Sequence, residues 1–382
     1  MKTFKKALGL LLILMTLSCN AKEKNKNLAI AQTAIDTNPT PEKQFIKVAL
    51  LLDTSNSMDG LIDQAKAQLW EIVNELSYAK CNEVKPNLEI ALYEYGNNNL
   101  NGQEGYIRKV LSFSNDLDEI SKQLFSLTTN GGEEYCGYVI NTSLEQLDWG
   151  NDAKDLKLIF IAGNEPFNQG SVSYEKAAEI ACGKEVTVNT IFCGDYNLGV
   201  STFWKHGADL GHGDYMAINS DQATVHVPSP YDDKIMELNT RLNKTYVAYG
   251  TQGKQKMMLQ AEQDSNASDY SEANAVSRTV SKSSHLYKNS SWDLVDAAED
   301  KNFDMKKINK DLLPEDLKGK SDAEIESYIG KKKAEREKIK EEIQGLNIKR
   351  QEFLSTQKTD NQLENAMLNA LKSQAKKKNY NW

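Results

Sequence analysis

Short apolar runs that alternate with stretches of helical periodicity are the feature that most limits the folds open to this chain. The runs 45–52, 88–95, 156–162 and 186–193 consist largely of apolar residues, which is typical of strands that are buried on both faces of a sheet. Between them, apolar residues recur every three or four positions, as in the stretch 61–79. Strands separated by helices predict βαβ units. The predicted fold class is therefore α/β, with a doubly wound, mostly parallel sheet flanked by helices.

Three further segments complete this predicted domain. The run 106–113 is interrupted by polar residues, so we expect it to be an edge hairpin strand. A short run at 215–219 is expected to be the last strand, and 232–249 is expected to be a closing helix. Because ligands of such sheets bind beyond the carboxyl ends of the strands, a functional site is expected in the loops that follow them.

The loop after the first predicted strand carries the clearest motif. It contains Asp53, Ser55 and Ser57 in the pattern D-x-S-x-S. Carboxylate and hydroxyl oxygens are hard ligands that suit Mg²⁺, although Ser and Asp are also natural helix N-caps. No G-x-G-x-x-G follows this strand and the chain contains no G-x-S-x-G, which disfavours a dinucleotide-binding domain and an α/β-hydrolase.

In this position the motif resembles the metal-ion-dependent adhesion site of the von Willebrand factor A (VWA) family, and the resemblance covers about residues 42–250. It implies a Rossmann-like sheet at whose carboxyl edge Ser55 and Ser57 bind a divalent cation directly and Asp53 binds it largely through water. The implied cofactor is Mg²⁺, with Mn²⁺ or Ca²⁺ as alternatives. An acidic side chain of a partner protein would complete the coordination.

The second loop of the site departs from the family pattern. The family usually offers a Thr from a Gly-containing loop, whereas the loop 128–137 has Glu133 directly after its two glycines. Glu133 or Glu134 would then replace the Thr as an oxygen ligand, and we expect Glu134 to do so. A carboxylate there would raise the affinity for the cation and weaken its attraction for a partner's acid.

The third loop is also altered. The family places an Asp after its fourth strand, but the strand 156–162 leads into Gly163. Asn164 or Glu165 would supply an oxygen in its place, and we expect Asn164. A metal-free VWA domain is the alternative.

Four cysteines remain beyond Cys19, which allows three disulfide pairings. Cys136 and Cys193 are expected at the same end of the sheet, so this is the pair we expect if a disulfide forms. Buried free thiols are the alternative.

The first twenty residues resemble a bacterial lipoprotein signal. Three lysines precede a short apolar run, and Ser18 and Cys19 follow it. The resemblance implies a signal peptide over 1–18, lipidation of Cys19 and a location in the cell envelope, with the outer membrane favoured over the inner because Asn20 is not Asp. An ordinary secretory signal with a chance Cys is the alternative. The polar stretch 19–41 is predicted to be a flexible tether.

The chain changes character after the predicted VWA domain. The segment 251–300 lacks a firm period and is interpreted as an irregular linker or a packed strip. The segment 301–382 carries 19 basic and 14 acidic residues in a chain whose net charge is −8. It predicts a charged helical region that either binds a partner or packs back on the VWA domain. An acidic chain gives no general reason to expect nucleic acid as a partner.

Two functional hypotheses follow from these patterns. The first is a non-enzymatic, envelope-anchored binding protein that captures a partner protein's acidic side chain through the cation. The second is a metal-free scaffold of the cell envelope that is organised by its C-terminal helices. No nucleophile–base pair or phosphate-binding loop stands out in the sequence, so an enzyme is not predicted.

Overall fold

The predicted apolar runs form the central sheet in a computed structural model, which describes residues 44–222, 227–357 and 362–382. Cys19, the predicted signal peptide and the predicted tether lie outside the described residues. The strands are β1 (Phe45–Asp53), β2 (Lys80–Cys81), β3 (Asn87–Tyr95), β4 (Ile107–Ser114), β5 (Leu156–Gly163), β6 (Thr187–Cys193), β7 (His212–Ile218) and β8 (Tyr380–Asn381).

Six of these strands form one sheet in the order β4-β3-β1-β5-β6-β7. All neighbouring pairs are parallel except β3 and β4, so β4 is an antiparallel edge strand. The order reverses between β1 and β5. This is the switch point at which doubly wound sheets bind ligands.

Helices account for more than half of the other described residues. They are α1 (Asp59–Leu76), α2 (Leu117–Phe125), α3 (Cys136–Gln146), α4 (Tyr174–Gly183), α5 (Tyr196–Ser201), α6 (Trp204–Leu210), α7 (Asp232–Asn243), α8 (Gly253–Tyr270), α9 (Glu272–Ser283), α10 (Leu294–Ala297), α11 (Asp322–Ser355) and α12 (Gln362–Lys376). Among the described residues, no helix is long and apolar enough to cross a bilayer.

The sheet buries a hydrophobic core on each face because successive side chains of a strand point to opposite sides. Val48 and Leu52 of β1 belong to the core beneath α1, α2 and α12. Ala49 and Leu51, which alternate with them, belong to the core beneath α3, α4 and α6. The α/β architecture predicted from the apolar runs is therefore confirmed.

The segment 251–300 differs from the irregular structure that its sequence suggested. It forms α8 and α9, and every residue from Ala273 to Ser283 is buried. The α9 helix contacts α1, α7, α8 and α11. Its polar side chains are enclosed by protein, so their polarity does not mark a solvent-facing side of the helix.

Buried charges on α9 are paired with charges from other helices. Arg278 lies 2.8 Å from the Asp118 carboxylate and 2.6 Å from that of Asp264. Lys282 donates to Asp264 at 2.8 Å and to Asn243 at 2.6 Å. Burial alone would raise the pKa of Asp264, but Lys282 and Arg278 hold it well below its usual value. Paired in this way, the charges can be buried without leaving an isolated ion in the core.

The charged C-terminal helices pack back on the α/β part of the chain, where α11 contacts α7 and α12 contacts α1. The apolar stripe of α11, including Ile325, Ile339 and Ile343, is buried. Arg336 of α11 is also buried, donates to the Thr245 carbonyl at 2.7 Å and pairs with Asp293. After α12, strand β8 pairs with β2 in a small antiparallel sheet.

Replacement of Arg336 by Ala should destabilise the protein by about 3–5 kcal/mol, because it leaves Asp293 as an uncompensated buried charge. The matched control is Lys333→Ala on the same helix, whose side chain is 43% exposed and pairs with Glu299 and Glu337. That change should cost no more than about 1 kcal/mol. Urea denaturation measures both losses. Equal losses for the two variants would contradict the structural role given to Arg336.

Candidate functional site

Strand β1 delivers the D-x-S-x-S motif to the carboxyl edge of the sheet. Asp53 is the last residue of β1, and Ser55 and Ser57 lie in the short turn before α1. The buried Asp53 carboxylate accepts the Ser55 backbone N–H through Oδ1 at 2.7 Å. The two serine hydroxyl oxygens are 3.2 Å apart. The three predicted ligands are thus brought together by one turn.

Asn164 joins this group from the neighbouring strand. It directly follows β5, which pairs with β1. Its Nδ2 donates to Ser57 Oγ at 3.0 Å. Its Oδ1 is buried and has no hydrogen-bond partner among the described residues. The same holds for Asp53 Oδ2, so two acceptor oxygens beside the serines have unmet bonding capacity.

Glu134 is the carboxylate that the second loop contributes. It lies two residues before α3 and is buried, and its Oε2 accepts the Glu165 backbone N–H at 3.3 Å. Its neighbour Glu133 is exposed and accepts the Tyr135 hydroxyl instead. Of the two glutamates that the sequence left open, the structure therefore brings Glu134 to the site.

Two glycines allow the loops to approach closely enough to seat Glu134 beside Asp53. A Cβ atom at position 132 would lie 2.3 Å from the Gly96 carbonyl oxygen. At Gly96, where φ is +77°, a Cβ would lie 2.8 Å from both Asp53 Oδ1 and Glu134 Cγ. Any side chain at either position would push the two carboxyl groups away from their present places.

The adjacent carboxyl groups influence each other's ionisation. Burial raises the pKa of Asp53 well above its usual value, and the Glu134 carboxyl raises it further, against the lowering effect of Ser55. Burial also raises the pKa of Glu134. Two carboxylates in one desolvated site repel each other, so a cation or a shared proton would stabilise the pair.

Most other buried carboxylates of the described residues have a basic partner, whereas Asp155 accepts the Phe45 backbone N–H at 2.9 Å. Asp118 pairs with Arg278, Asp232 with Arg350 and Asp293 with Arg336. No described Lys, Arg or His side chain forms a salt bridge with Asp53 or Glu134. These two carboxyl groups are therefore close together in the core without a cation from the protein.

The donor set at this edge fits a hard divalent cation. It combines carboxylate, hydroxyl and amide oxygens, which are the ligands that Mg²⁺ and Ca²⁺ prefer. The described residues contain no cluster of three or more His, Cys, Asp or Glu side chains arranged to hold a metal. A cation would thus depend on Ser55, Ser57 and Asn164 as well as on the two carboxylates.

Tyr95 explains why Gly163 stands where the VWA pattern has Asp. A Cβ at position 163 would lie 2.5 Å from the Tyr95 hydroxyl oxygen and 3.1 Å from Asp53 Oδ2. The hydroxyl donates to the Ala162 carbonyl at 2.9 Å. Tyr95 ends β3 and pairs in register with Asp53. Its place at the end of the second predicted strand is the sequence signal by which Tyr95 could have been assigned to the site.

The expected disulfide is not present in the structure, where Cys136 and Cys193 are both free. Both residues lie at the same end of the sheet, but Cys136 belongs to the core on one face and Cys193 to the core on the other. The pairing was inferred from the end of the sheet that the two cysteines share. Because they lie on opposite faces of the sheet, they do not pair. Cys136 Sγ instead lies 3.8 Å from the Tyr95 hydroxyl.

No family model matches the sequence, and no curated protein matches it either. Solved structures do match. BatB from Bacteroides thetaiotaomicron has 17% identity and a TM-score of 0.35, and the match covers 45% of this chain and 90% of that one. An aerotolerance-related membrane protein from Bacteroides fragilis has 16% identity and a TM-score of 0.32, with 46% and 93% covered. The SpRpn10 VWA domain has 12% identity and a TM-score of 0.33, with 45% and 87% covered.

The order β4-β3-β1-β5-β6-β7, with its antiparallel edge strand, is the doubly wound sheet that the resemblance implied, and Asp53, Ser55 and Ser57 follow its first strand. The chain has a VWA fold. In this VWA domain the departures at Glu134 and Gly163 adjoin the same carboxylate, Asp53, and Tyr95 occupies the space beside them.

Replacement of Gly163 by Ala should destabilise the protein by about 1–3 kcal/mol, because the added methyl group overlaps the Tyr95 hydroxyl. Tyr95→Phe removes that hydroxyl, so the double variant should cost less than the sum of the two single changes. The control is Gly330→Ala in α11, where nothing lies near the added methyl and a gain of about 0.5–1 kcal/mol is expected. Denaturant titration of all four variants measures the coupling, and strictly additive losses would contradict this explanation of Gly163.

Proposed function

We propose that this VWA domain is a protein-interaction module that binds a divalent cation, Mg²⁺ or alternatively Mn²⁺ or Ca²⁺, at its altered adhesion site. Asp53, Ser55, Ser57, Glu134 and Asn164 would hold the ion. The observation that carries the proposal is that two buried carboxyl groups, Asp53 and Glu134, are adjacent and have no basic partner among the described residues, whereas Asp118, Asp232 and Asp293 each pair with an arginine. A dication would balance the two negative charges and use the unbonded oxygens of Asp53 and Asn164.

The partner would be a protein that offers an acidic side chain. Ser57 is exposed beside the buried ligands, so a group on another molecule can approach the ion from solvent. Mg²⁺ prefers six ligands, so the five residues named above would leave one position that a partner's Asp or Glu could fill. Because Glu134 already adds a second carboxylate, the cation would attract the partner's acid less strongly than it would at a site with a single carboxylate. The role proposed is binding and not catalysis.

The alternative function, a metal-free scaffold organised by the C-terminal helices, receives less support from the packing. The apolar side chains Ile325, Ile339 and Ile343 of α11 are buried within this chain. They contribute to its own stability and offer no apolar stripe for a neighbour.

Calorimetric titration of Mg²⁺, Mn²⁺ and Ca²⁺ should give saturable binding for the wild-type protein, and Glu134→Gln should weaken it by about tenfold or more. The matched control is Glu133→Gln, because Glu133 is exposed and bonded to Tyr135; it should bind as the wild type does. In a chelator, Glu134→Gln should raise the unfolding temperature because it removes a like charge beside Asp53. Absence of binding in the wild type, or equal binding by both variants, would refute the cation site.

We also propose that the protein is exported and anchored in the cell envelope, with the outer membrane favoured, by lipid on Cys19. The support is the order of charged, apolar and small residues before Cys19. Metabolic labelling with radioactive palmitate should mark the full chain and fail to mark Cys19→Ser. A matched Cys182→Ser variant should be labelled normally, and unchanged labelling of Cys19→Ser would refute the anchor.

A further inference from the structure

Four large apolar side chains are exposed within eight consecutive positions near the candidate site. Tyr196 and Leu198 are each 52% exposed, Val200 is 40% exposed and Phe203 is 42% exposed. They lie on α5 and in the turn to α6. We call these four residues the α5 patch. Single exposed apolar residues are ordinary, but a concentration of them on a soluble domain is typical of an interaction surface.

Phe203 has a strained backbone conformation. Its φ is +73°, in the left-handed region, which costs a non-glycine residue on the order of 1–2 kcal/mol. The side chain is 42% exposed, and its ring centroid is 6.3 Å from that of Tyr174. Strained residues of this kind are concentrated at functional positions.

The α5 patch belongs to the same edge of the sheet as the proposed cation site. It follows β6, which lies two strands and about 10 Å from β1, and the Tyr196 ring packs against Tyr215 of β7. Trp204 Nε1 donates to the Glu165 carbonyl at 2.8 Å, and the Phe167 N–H donates to the Thr202 carbonyl at 2.9 Å. These bonds join the corner between α5 and α6 to the loop that carries Asn164.

The charges between the two features restrict what a partner can carry. Glu165 and Asp195 are both exposed on the intervening loops. A run of acidic residues would be repelled there, whereas a single carboxylate that reaches the cation would not. An extended segment rises about 3.3 Å per residue, so apolar residues about three or four positions from that carboxylate would reach the α5 patch.

We propose that the partner's recognition segment carries a single acidic residue that binds the cation, with large apolar side chains about three or four positions away that pack on the α5 patch. This inference rests on the proposed function and adds the second half of the partner's recognition motif. Phe203 and Leu198 would supply the apolar contact, and the cation would fix the position of the acid.

The test is an array of synthetic peptides that carry one Asp and, about three or four positions away, Leu or Phe. Each peptide has a counterpart with Ser in place of the apolar residue and another with Asn in place of Asp. Fluorescence anisotropy measures their binding to the full chain in Mg²⁺ and in a chelator. Peptides with both features should bind about tenfold more tightly than either counterpart, and only in Mg²⁺.

The decisive variant is Phe203→Gly, because glycine adopts positive φ without strain, which offsets the loss of the partly buried ring, and urea denaturation checks that the variant folds. It should lose the preference for Leu or Phe while its calorimetric Mg²⁺ affinity stays unchanged. Ile348→Ser is the control, since Ile348 is 57% exposed on α11, away from the carboxyl edge, and it should bind the peptides normally.

The outcomes separate this inference from the function on which it rests. Peptide binding that requires Asp and Mg²⁺ but does not depend on the peptide's apolar residues or on Phe203 would overturn the inference. The proposed function would remain supported. Absence of Mg²⁺ binding, or peptide binding that persists in a chelator and with Asn in place of Asp, would overturn both. If no peptide binds more tightly than its Ser counterpart, the inference is wrong.

Discussion

The ion pairs that bury α9 hold α8 and α9 to the α/β part of this chain. Arg278 and Lys282 lie on a helix that is buried from Ala273 to Ser283, and their counterions come from α2 and α8. Removal of one partner from such a cluster leaves an unpaired charge in the core, which costs far more than the intact pair contributes. The helices around α9 are therefore constrained to one arrangement, and α11 and α12 complete it against α1 and α9.

The same reasoning distinguishes the candidate site from the rest of the molecule. Asp118, Asp232 and Asp293 are buried carboxylates that each pair with an arginine. Asp53 and Glu134 accept the backbone N–H groups of Ser55 and Glu165. Two adjacent buried carboxyl groups without a basic partner have a charge balance that is left to a ligand or to protons.

The sequence predicted the VWA sheet because buried parallel strands carry a signal that depends on a few neighbouring residues. Runs such as 156–162 are apolar whatever surrounds them. The α9 helix carries no comparable signal, since Arg278, Ser281 and Lys282 resemble surface residues until their partners are known. Asp118, which pairs with Arg278, is 160 positions away in the chain, and no local pattern connects the two. From its polar sequence α9 would be predicted to lie at the surface, but its tertiary contacts bury it.

The site was predictable to the extent that one turn determines it. Asp53, Ser55 and Ser57 are close in sequence and close in space. Glu134 reaches them through loop packing at Gly96 and Gly132, and Asn164 reaches them because β5 pairs with β1. The sequence registered Gly163 as the loss of a family carboxylate. The structure places Tyr95 in the space that a side chain at 163 would need, and it places Glu134 beside Asp53 from a different loop.

Two carboxyl groups therefore remain next to the serines, although one of them now comes from the loop before α3 and not from the end of β5. Loss of the expected Asp at position 163 is thus not by itself evidence for a metal-free VWA domain. Gly163, Tyr95 and Glu134 are better understood as one linked exchange. Replacement of Gly163 by Asp alone would clash with Tyr95 and crowd Asp53. The Asp of the family pattern could therefore be restored here only together with a change at Tyr95.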